Sequence, residues 1–162
     1  MIAQTPFETT LAVRDTCLCL HTQRAARVLA RRFDEALRPF GLTNTQFSLL
    51  NALNGPEPAS VSQVASLLGA DRTTLTAALK PLVRRGLAEN RPDPADGRMR
   101  RLSLTAAGHA VLAEALPAWT RAHARLEAEL ADVDAGQLRG DLNVLAARPR
   151  GPAATAPCSN PE

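Results

Sequence analysis

The chain has 162 residues, of which 22% are charged and 45% hydrophobic, with 19 basic against 16 acidic side chains and a formal net charge of +3. That length suffices for one domain with its own core, and the basic balance admits nucleic acid or an acidic membrane surface as a partner. No apolar run approaches the roughly 20 residues of a membrane span, and with 3% aromatics and no tyrosine a stacking platform for single-stranded nucleic acid is not expected.

Residues 1–13 predict a flexible arm. Their opening, MIAQTPFETT, has neither the basic nor the apolar region of a signal peptide, so a cytoplasmic location is expected. A long helix is predicted from about Asp15 to Phe40, with Val28, Leu29, Phe33, Ala36, Leu37 and Phe40 as its apolar stripe. Arg24, Arg27, Arg31 and Arg32 lie mostly on its other side, and Pro39 and Gly41 close it. Thr43 and Gln46 form a capping box that opens a short helix with Phe47, Leu50 and Leu53 inward. Asn54-Gly55-Pro56-Glu57-Pro58 then reads as a loop.

The informative stretch runs from Ser60 to Thr105. Ser60 and Gln63 make a second capping box, and Val64, Leu67 and Leu68 recur at helical spacing and are expected to face inward. Gly69 permits a tight turn, because it takes a positive φ without steric cost. Asp71 caps the next helix, whose buried stripe is predicted as Leu75, Leu79, Leu82 and Val83. Its other face carries Arg72, Thr73, Thr74, Thr76 and Lys80. Gly86 ends it, and residues 87–91 and 98–104 flank the turn-rich tip PDPADG as a hairpin. Leu102 and Leu104 alternate with Arg101 and Ser103, the pattern of a half-buried strand. Between Asp71 and Leu104 stand eight basic and four acidic residues, a balance of +4 against +3 for the whole chain. Positive potential is therefore concentrated on a helix, turn, helix and hairpin, the outline of a winged helix-turn-helix DNA reader. In such a reader the first turn of the second helix meets base edges. There arginine takes guanine with two bonds, and threonine offers a hydroxyl and a methyl.

Thr105 caps another long helix with Leu112, Leu116, Trp119, Leu126, Leu130 and Val133 as its stripe. Pro117 within it, and Pro81 within the preceding helix, are expected to kink rather than end them. Asp134 and Gln137 cap a last helix, with Leu138, Leu142 and Leu145 inward. The stretch 105–148 has four arginines and six carboxylates and should face away from DNA. Residues 149–162, with four prolines, predict a disordered tail.

Asp71-Arg72-Thr73, Thr76, Leu79, Arg85-Gly86-Leu87, Asp96-Gly97-Arg98 and Leu104-Thr105-Ala106-Ala107-Gly108 together resemble the MarR family of bacterial winged-helix regulators. The match is ordered and correctly spaced, and the rest of 14–148 fits it. The resemblance implies a mainly α fold with a small β-hairpin wing, in which 43–104 is the DNA-binding module and 14–42 and 105–148 supply long dimerisation helices. It implies a homodimer on palindromic double-stranded DNA, with the wing arginine, Arg98, entering the minor groove. Ser62, Gln63, Arg72, Thr73, Thr74, Thr76, Lys80, Arg98 and Arg100 are the expected DNA contacts. The expected function is a transcriptional repressor released by a small-molecule or oxidant effector, with no cofactor and no membrane partner. The alternative is a winged-helix protein-interaction module without DNA affinity.

Cys17, Cys19 and His21 alternate near the start of the first helix. Within a helix, steps of two residues turn by about 200°, so Cys17 and Cys19 point apart while Cys17 and His21 face together. Chelation of a metal by all three would need an extended start or ligands from a partner, and the alternative is that they are small interface residues with no chemistry. Three cysteines make no disulfide framework. Cys19 stands 23 residues before Leu42, an offset similar to the peroxidatic cysteine of the organic-hydroperoxide sensors in the MarR family. Those sensors hold their thiolate with tyrosines, one of them four residues beyond the cysteine. Here that residue is Gln23. Cys19, with Cys17 beside it, is thus a candidate redox sensor, and Cys158 a candidate resolving thiol. His109 and His123 have no ligand-spaced partner and read as structural. The nucleotide-binding, zinc-protease and serine-hydrolase signatures are absent, so an enzyme is not expected. A thiol oxidoreductase would need a thioredoxin-like βαβ pattern that the sequence lacks.

Overall fold

The computed structural model describes residues 5–130 and 132–147. The expected tail 149–162, Cys158 within it and the first four residues of the expected arm lie outside the described residues. The chain divides into two compact units, the first ending at Ala124 and the second beginning at Arg125.

The chain is helical from Phe7, where the sequence reading leaves an arm to residue 13. α1 (Phe7–Thr16) starts after Pro6, with Glu8 in its first turn and Arg14 in its last. Both charges suit the helix dipole, while none of its residues is buried. Nothing in its pattern therefore marks it as amphipathic. The single helix expected from Asp15 is instead broken at Cys17, whose backbone is extended at φ −74° and ψ 101°. Thr16 turns its hydroxyl back to the Ala12 carbonyl at 2.7 Å, and Thr and Cys are weak helix formers. Cys17 caps the next helix, its sulfur accepting the Leu20 N–H at 3.4 Å.

α2 (Leu18–Leu37) buries only Phe33 and Leu37; Val28 and Leu29, expected in its core stripe, are exposed. A 3-10 turn over Arg38–Phe40 follows. α3 (Asn44–Ala52) opens with the expected capping box: Thr43 Oγ1 accepts the Gln46 N–H at 3.2 Å and Gln46 Oε1 accepts the Thr43 N–H at 3.1 Å. Asp34 joins α2 to α3 by accepting the Asn44 N–H at 2.6 Å.

β1 (Ala59–Ser60) was not legible in the sequence, since two residues carry no periodicity. It pairs antiparallel with β3 (Arg100–Leu104), which also pairs with β2 (Ala88–Pro92), so the sheet order is β1-β3-β2. Ser60 ends β1 and caps α4 (Val61–Leu67) through the second capping box. α5 (Arg72–Arg84) follows the turn at Gly69, whose φ is +61°. It continues through Pro81 to its C-cap Arg85, and the chain turns away at Gly86, φ +69°.

The core of the first unit is built by Leu37, Leu49, Leu50, Val64, Leu75, Leu82 and Leu102. Each fully buried leucine contributes roughly 1.5–3 kcal/mol. Three further core residues expected in this unit are corrected by the fold. Leu67 is 70% exposed, and Val83 and Leu116 are exposed as well. They sit at the edges of their stripes, where helical spacing alone cannot separate core from margin.

α6 (Ala106–Glu129) continues through Pro117. Its first turn is seated tightly on the end of α5. Thr105 Oγ1 donates to the Gly86 carbonyl at 2.6 Å and accepts the Gly108 N–H at 3.0 Å. The Thr105 N–H reaches the Leu87 carbonyl at 3.2 Å. In the second unit α7 (Ala135–Ala147) is capped by Asp134, whose Oδ1 accepts the Gln137 N–H at 2.9 Å. Arg139 pairs with Glu127 at 2.7 Å. Leu138, Leu142 and Leu145, expected to face inward, are exposed on the single chain.

Candidate nucleic-acid interface

Arg72, Thr73, Thr76 and Lys80, with Ala77, line one open groove along the outer face of α5. The spacing produces this: Arg72, Thr76 and Lys80 are successive i, i+4 positions, while Leu75, Leu79 and Leu82 hold the opposite face in the core. Asp71 fixes the helix start, accepting the Thr74 N–H and the Thr74 hydroxyl, each at 2.8 Å. Those bonds hold the Asp71 carboxyl below the usual carboxylate range.

The three threonines are not equivalent. The Thr74 hydroxyl donates to Asp71, and Thr74 lies in a separate groove beside Asn44, Ser48 and Ala78. The Thr76 hydroxyl donates to the Arg72 carbonyl at 2.7 Å. Thr73 alone of the three keeps its hydroxyl proton uncommitted among the described residues. Ser62 is exposed on α4, and Gln63 spends its side-chain carbonyl on the Ser60 N–H at 2.8 Å.

Of the eight basic residues between Asp71 and Leu104, four are engaged within the chain. Arg85 donates to backbone carbonyls, Arg91 pairs with Glu89, Arg100 bonds Asn90 and Arg101 bonds Asp93. Arg72, Lys80, Arg84 and Arg98 make no such bond among the described residues. Arg98 stands at the wing tip, where its backbone N–H, not its guanidinium, bonds Asp96 at 3.0 Å. The side-chain pairing with Asp96 that would give it a structural role is not formed.

The wing has an organiser that sequence reasoning passed over. Asp93 is buried, and its Oδ1 accepts the Ala95 and Asp96 N–H groups at 2.7 and 3.2 Å. Its other oxygen accepts Arg101 Nε. Arg101 foremost, then the Ala95 N–H, holds this carboxyl below the usual range. An Asp followed by Pro-Ala-Asp is a recognised turn signal, but its partner eight residues on is not. A depressed carboxylate pKa favours the folded wing at neutral pH, and that contribution fades as pH falls through the folded value, below about pH 4. The amide resonances of Ala95 and Asp96 are therefore expected to titrate with a midpoint below the ordinary Asp value of about 3.9. A midpoint at the ordinary value would contradict the Asp93 lock.

Trp119 stacks on Phe47 at 6.0 Å and on Phe33 at 6.2 Å between ring centroids, with His123 at 4.9 Å. Phe47, Ser48, Asn51, Leu67, Leu116 and Trp119 line an open, mostly apolar cavity of about 410 Å³. On α2 the Gln23 amide donates to Cys19 Sγ at 3.1 Å, and Arg27 donates to Gln23 Oε1 at 2.9 Å. Cys17 and Cys19 are both free thiols. The His21 ring stands 3.4 Å from the Asp15 carbonyl. Among the described residues no three of His, Cys, Asp and Glu form a metal-holding group, and no helix is long and apolar enough to cross a membrane.

A capped helix pair with a cationic outer face, set between the strands of a three-stranded sheet whose hairpin carries a basic tip, defines a winged-helix chain. The family model for the MarR family matches residues 40–99. The transcriptional regulator MosR of M. tuberculosis, solved in complex with DNA, is 40% identical over 80% of this chain and 93% of its own, with a TM-score of 0.72. The transcriptional repressor MprA of Escherichia coli K12 is 34% identical over 114 residues, covering 69% of this chain and 61% of MprA. The chain therefore spans about three fifths of that curated relative's length. A transcriptional repressor, CouR, solved on a 23-mer DNA duplex, is 27% identical with a TM-score of 0.65, covering 90% of this chain and 97% of its own. The chain belongs to the MarR family.

Proposed function

We propose that this chain is a sequence-specific, double-stranded-DNA-binding transcriptional regulator, a cytoplasmic homodimeric repressor and not an enzyme. The observation that carries this reading is the convergence of Arg72, Thr73, Thr76 and Lys80 on one exposed face of α5, with an unpaired Arg98 at the wing tip. The names of MosR and MprA, and the DNA in the MosR and CouR structures, support it. Arg72 and Thr73 read base edges, Lys80 holds phosphate and Arg98 enters the minor groove. Thr76 lines the α5 groove and Ser62 and Gln63 on α4 are further candidate contacts, while Thr74 serves the cap and Arg100 the sheet. Residues 14–42 and 105–148 supply the dimer surface, to which the exposed Val28, Leu29, Leu138, Leu142 and Leu145 belong. Selection of purified wild-type protein against random duplexes should enrich an inverted repeat. No enrichment, with the protein folded, would favour an interaction module instead.

Release follows either from a small apolar ligand in the cavity beside Trp119 or from oxidation of Cys19. The Gln23 amide, polarised by Arg27, supplies Cys19 with a donor four residues on. There the thiolate attacks the terminal oxygen of an organic hydroperoxide: the S–O bond forms as the O–O bond breaks, giving a sulfenic acid, and the alkoxide leaves as the alcohol by taking a proton from water. Organic hydroperoxide is then expected to release wild-type protein from DNA, with Cys19→Ser resistant and Cys17→Ser affected less. Equal release of the Cys19→Ser protein would leave the thiol out of the mechanism.

A further inference from the structure

The guanidinium of Arg85 is not spent on the end of its own helix. Arg85 is the residue that ends α5, yet its Nη1 donates to the Gly41 carbonyl at 2.5 Å and its Nη2 to the Phe40 carbonyl at 3.3 Å. These acceptors lie 44 and 45 residues earlier, where the 3-10 turn after α2 gives out. Carbonyls at a helix end lack intrahelical partners and carry partial negative charge, so a cation there is favoured. One guanidinium thus caps the end of α2 with its turn while standing on the end of α5. The fit is close. Gly41 takes φ +65°, and a Cβ on it would stand 3.3 Å from Arg85 Nη2.

We propose that Arg85 is a positioning residue for DNA recognition, fixing the angle of α5 to the end of α2. This rests on the reading of the chain as a dimeric DNA-binding regulator whose segment 14–42 contributes to the dimer. In a dimer the two recognition helices must meet major grooves a helical turn apart. That separation is only as well defined as the joint between each α5 and the dimerising helix. Burial of Leu75, Leu79 and Leu82 holds α5 in the core, but apolar packing is non-directional. The two-pronged bond from a planar guanidinium supplies direction. A lysine at position 85 retains the charge but loses the fork.

The test uses full-length Arg85→Lys and Arg85→Gln proteins on the selected operator, on operators with one base pair added or removed between half-sites, and on non-specific duplex. The wild type should prefer the native spacing. Both variants should lose about tenfold of that preference, the factor one charge-assisted hydrogen bond represents. Their salt slope and non-specific affinity should stay unchanged. Wild-type spacing preference in Arg85→Gln would overturn the proposal. So would a salt slope flatter by about 1 in Arg85→Gln that Arg85→Lys restores, since that marks a phosphate contact. Global unfolding of Arg85→Lys in urea would also count against it, because an exposed clamp should cost alignment and not the fold. A wild-type protein that selects no operator is a different failure, that of the regulator reading itself.

Discussion

Gly108→Ala is expected to destabilise the chain by about 3 kcal/mol or more. A Cβ at position 108 would lie 2.0 Å from the Leu87 carbonyl oxygen, 3.0 Å from its carbon and 3.3 Å from a methyl of Leu104. The first obstacle is backbone, so no rotamer change relieves it. That carbonyl also accepts the Thr105 N–H. Moving it would disturb the seat of α6 on the end of α5, where Thr105 bridges the Gly86 carbonyl and the Gly108 N–H. The Leu-Thr-x-x-Gly pattern is thereby explained residue by residue: leucine in the core, threonine as a two-way cap, glycine for close approach. Urea denaturation measures the effect directly. An unchanged midpoint would mean that α6 does not sit against Leu87 as described.

The second large effect concerns binding and not the fold. Arg98→Ala is expected to weaken operator affinity by about 1–3 kcal/mol, and Arg72→Ala by a similar amount with relaxed preference at one base position. Neither guanidinium makes a bond within the chain among the described residues, so the unfolding midpoint of both variants should match wild type. Loss of stability in Arg98→Ala would instead assign it a structural part in the wing. Wild-type affinity in both would remove the proposed face from the mechanism.

Much of this arrangement was legible because it is local. Ser60 with Gln63, Thr43 with Gln46, Asp71 and Asp134 all declare helix starts within a few residues of chain, and the geometry follows. The turns at Gly69 and Gly86 and the Leu102–Leu104 alternation are local in the same sense. What escaped is non-local. β1 exists only because Ala59 and Ser60 meet Leu102 and Arg101. Asp93 and Arg101 find each other across the wing, and Arg85 reaches the Gly41 turn. Helical spacing alone overstates the core, since Leu67, Leu138 and Leu142 repeat at the right spacing and still face outward. The break at Cys17 depends on a weak-propensity pair, Thr16-Cys17, inside a pattern that otherwise continues. Among the candidate contacts, the residue types were legible but their hydrogen bonds were not. Thr73, Thr74 and Thr76 look alike in sequence and differ in whether the hydroxyl is already committed.

The most direct test of the central claim, that the α5 face and the wing bind duplex DNA through its phosphates and base edges, is a salt titration of full-length wild-type protein on its selected duplex. The account predicts that the logarithm of the binding constant falls linearly with the logarithm of salt concentration, with a slope of about −0.9 per phosphate neutralised. Lys80→Ala should flatten that slope by about 1. Binding that ignores salt, or that retains the full slope without Lys80, Arg72 and Arg98, would contradict it.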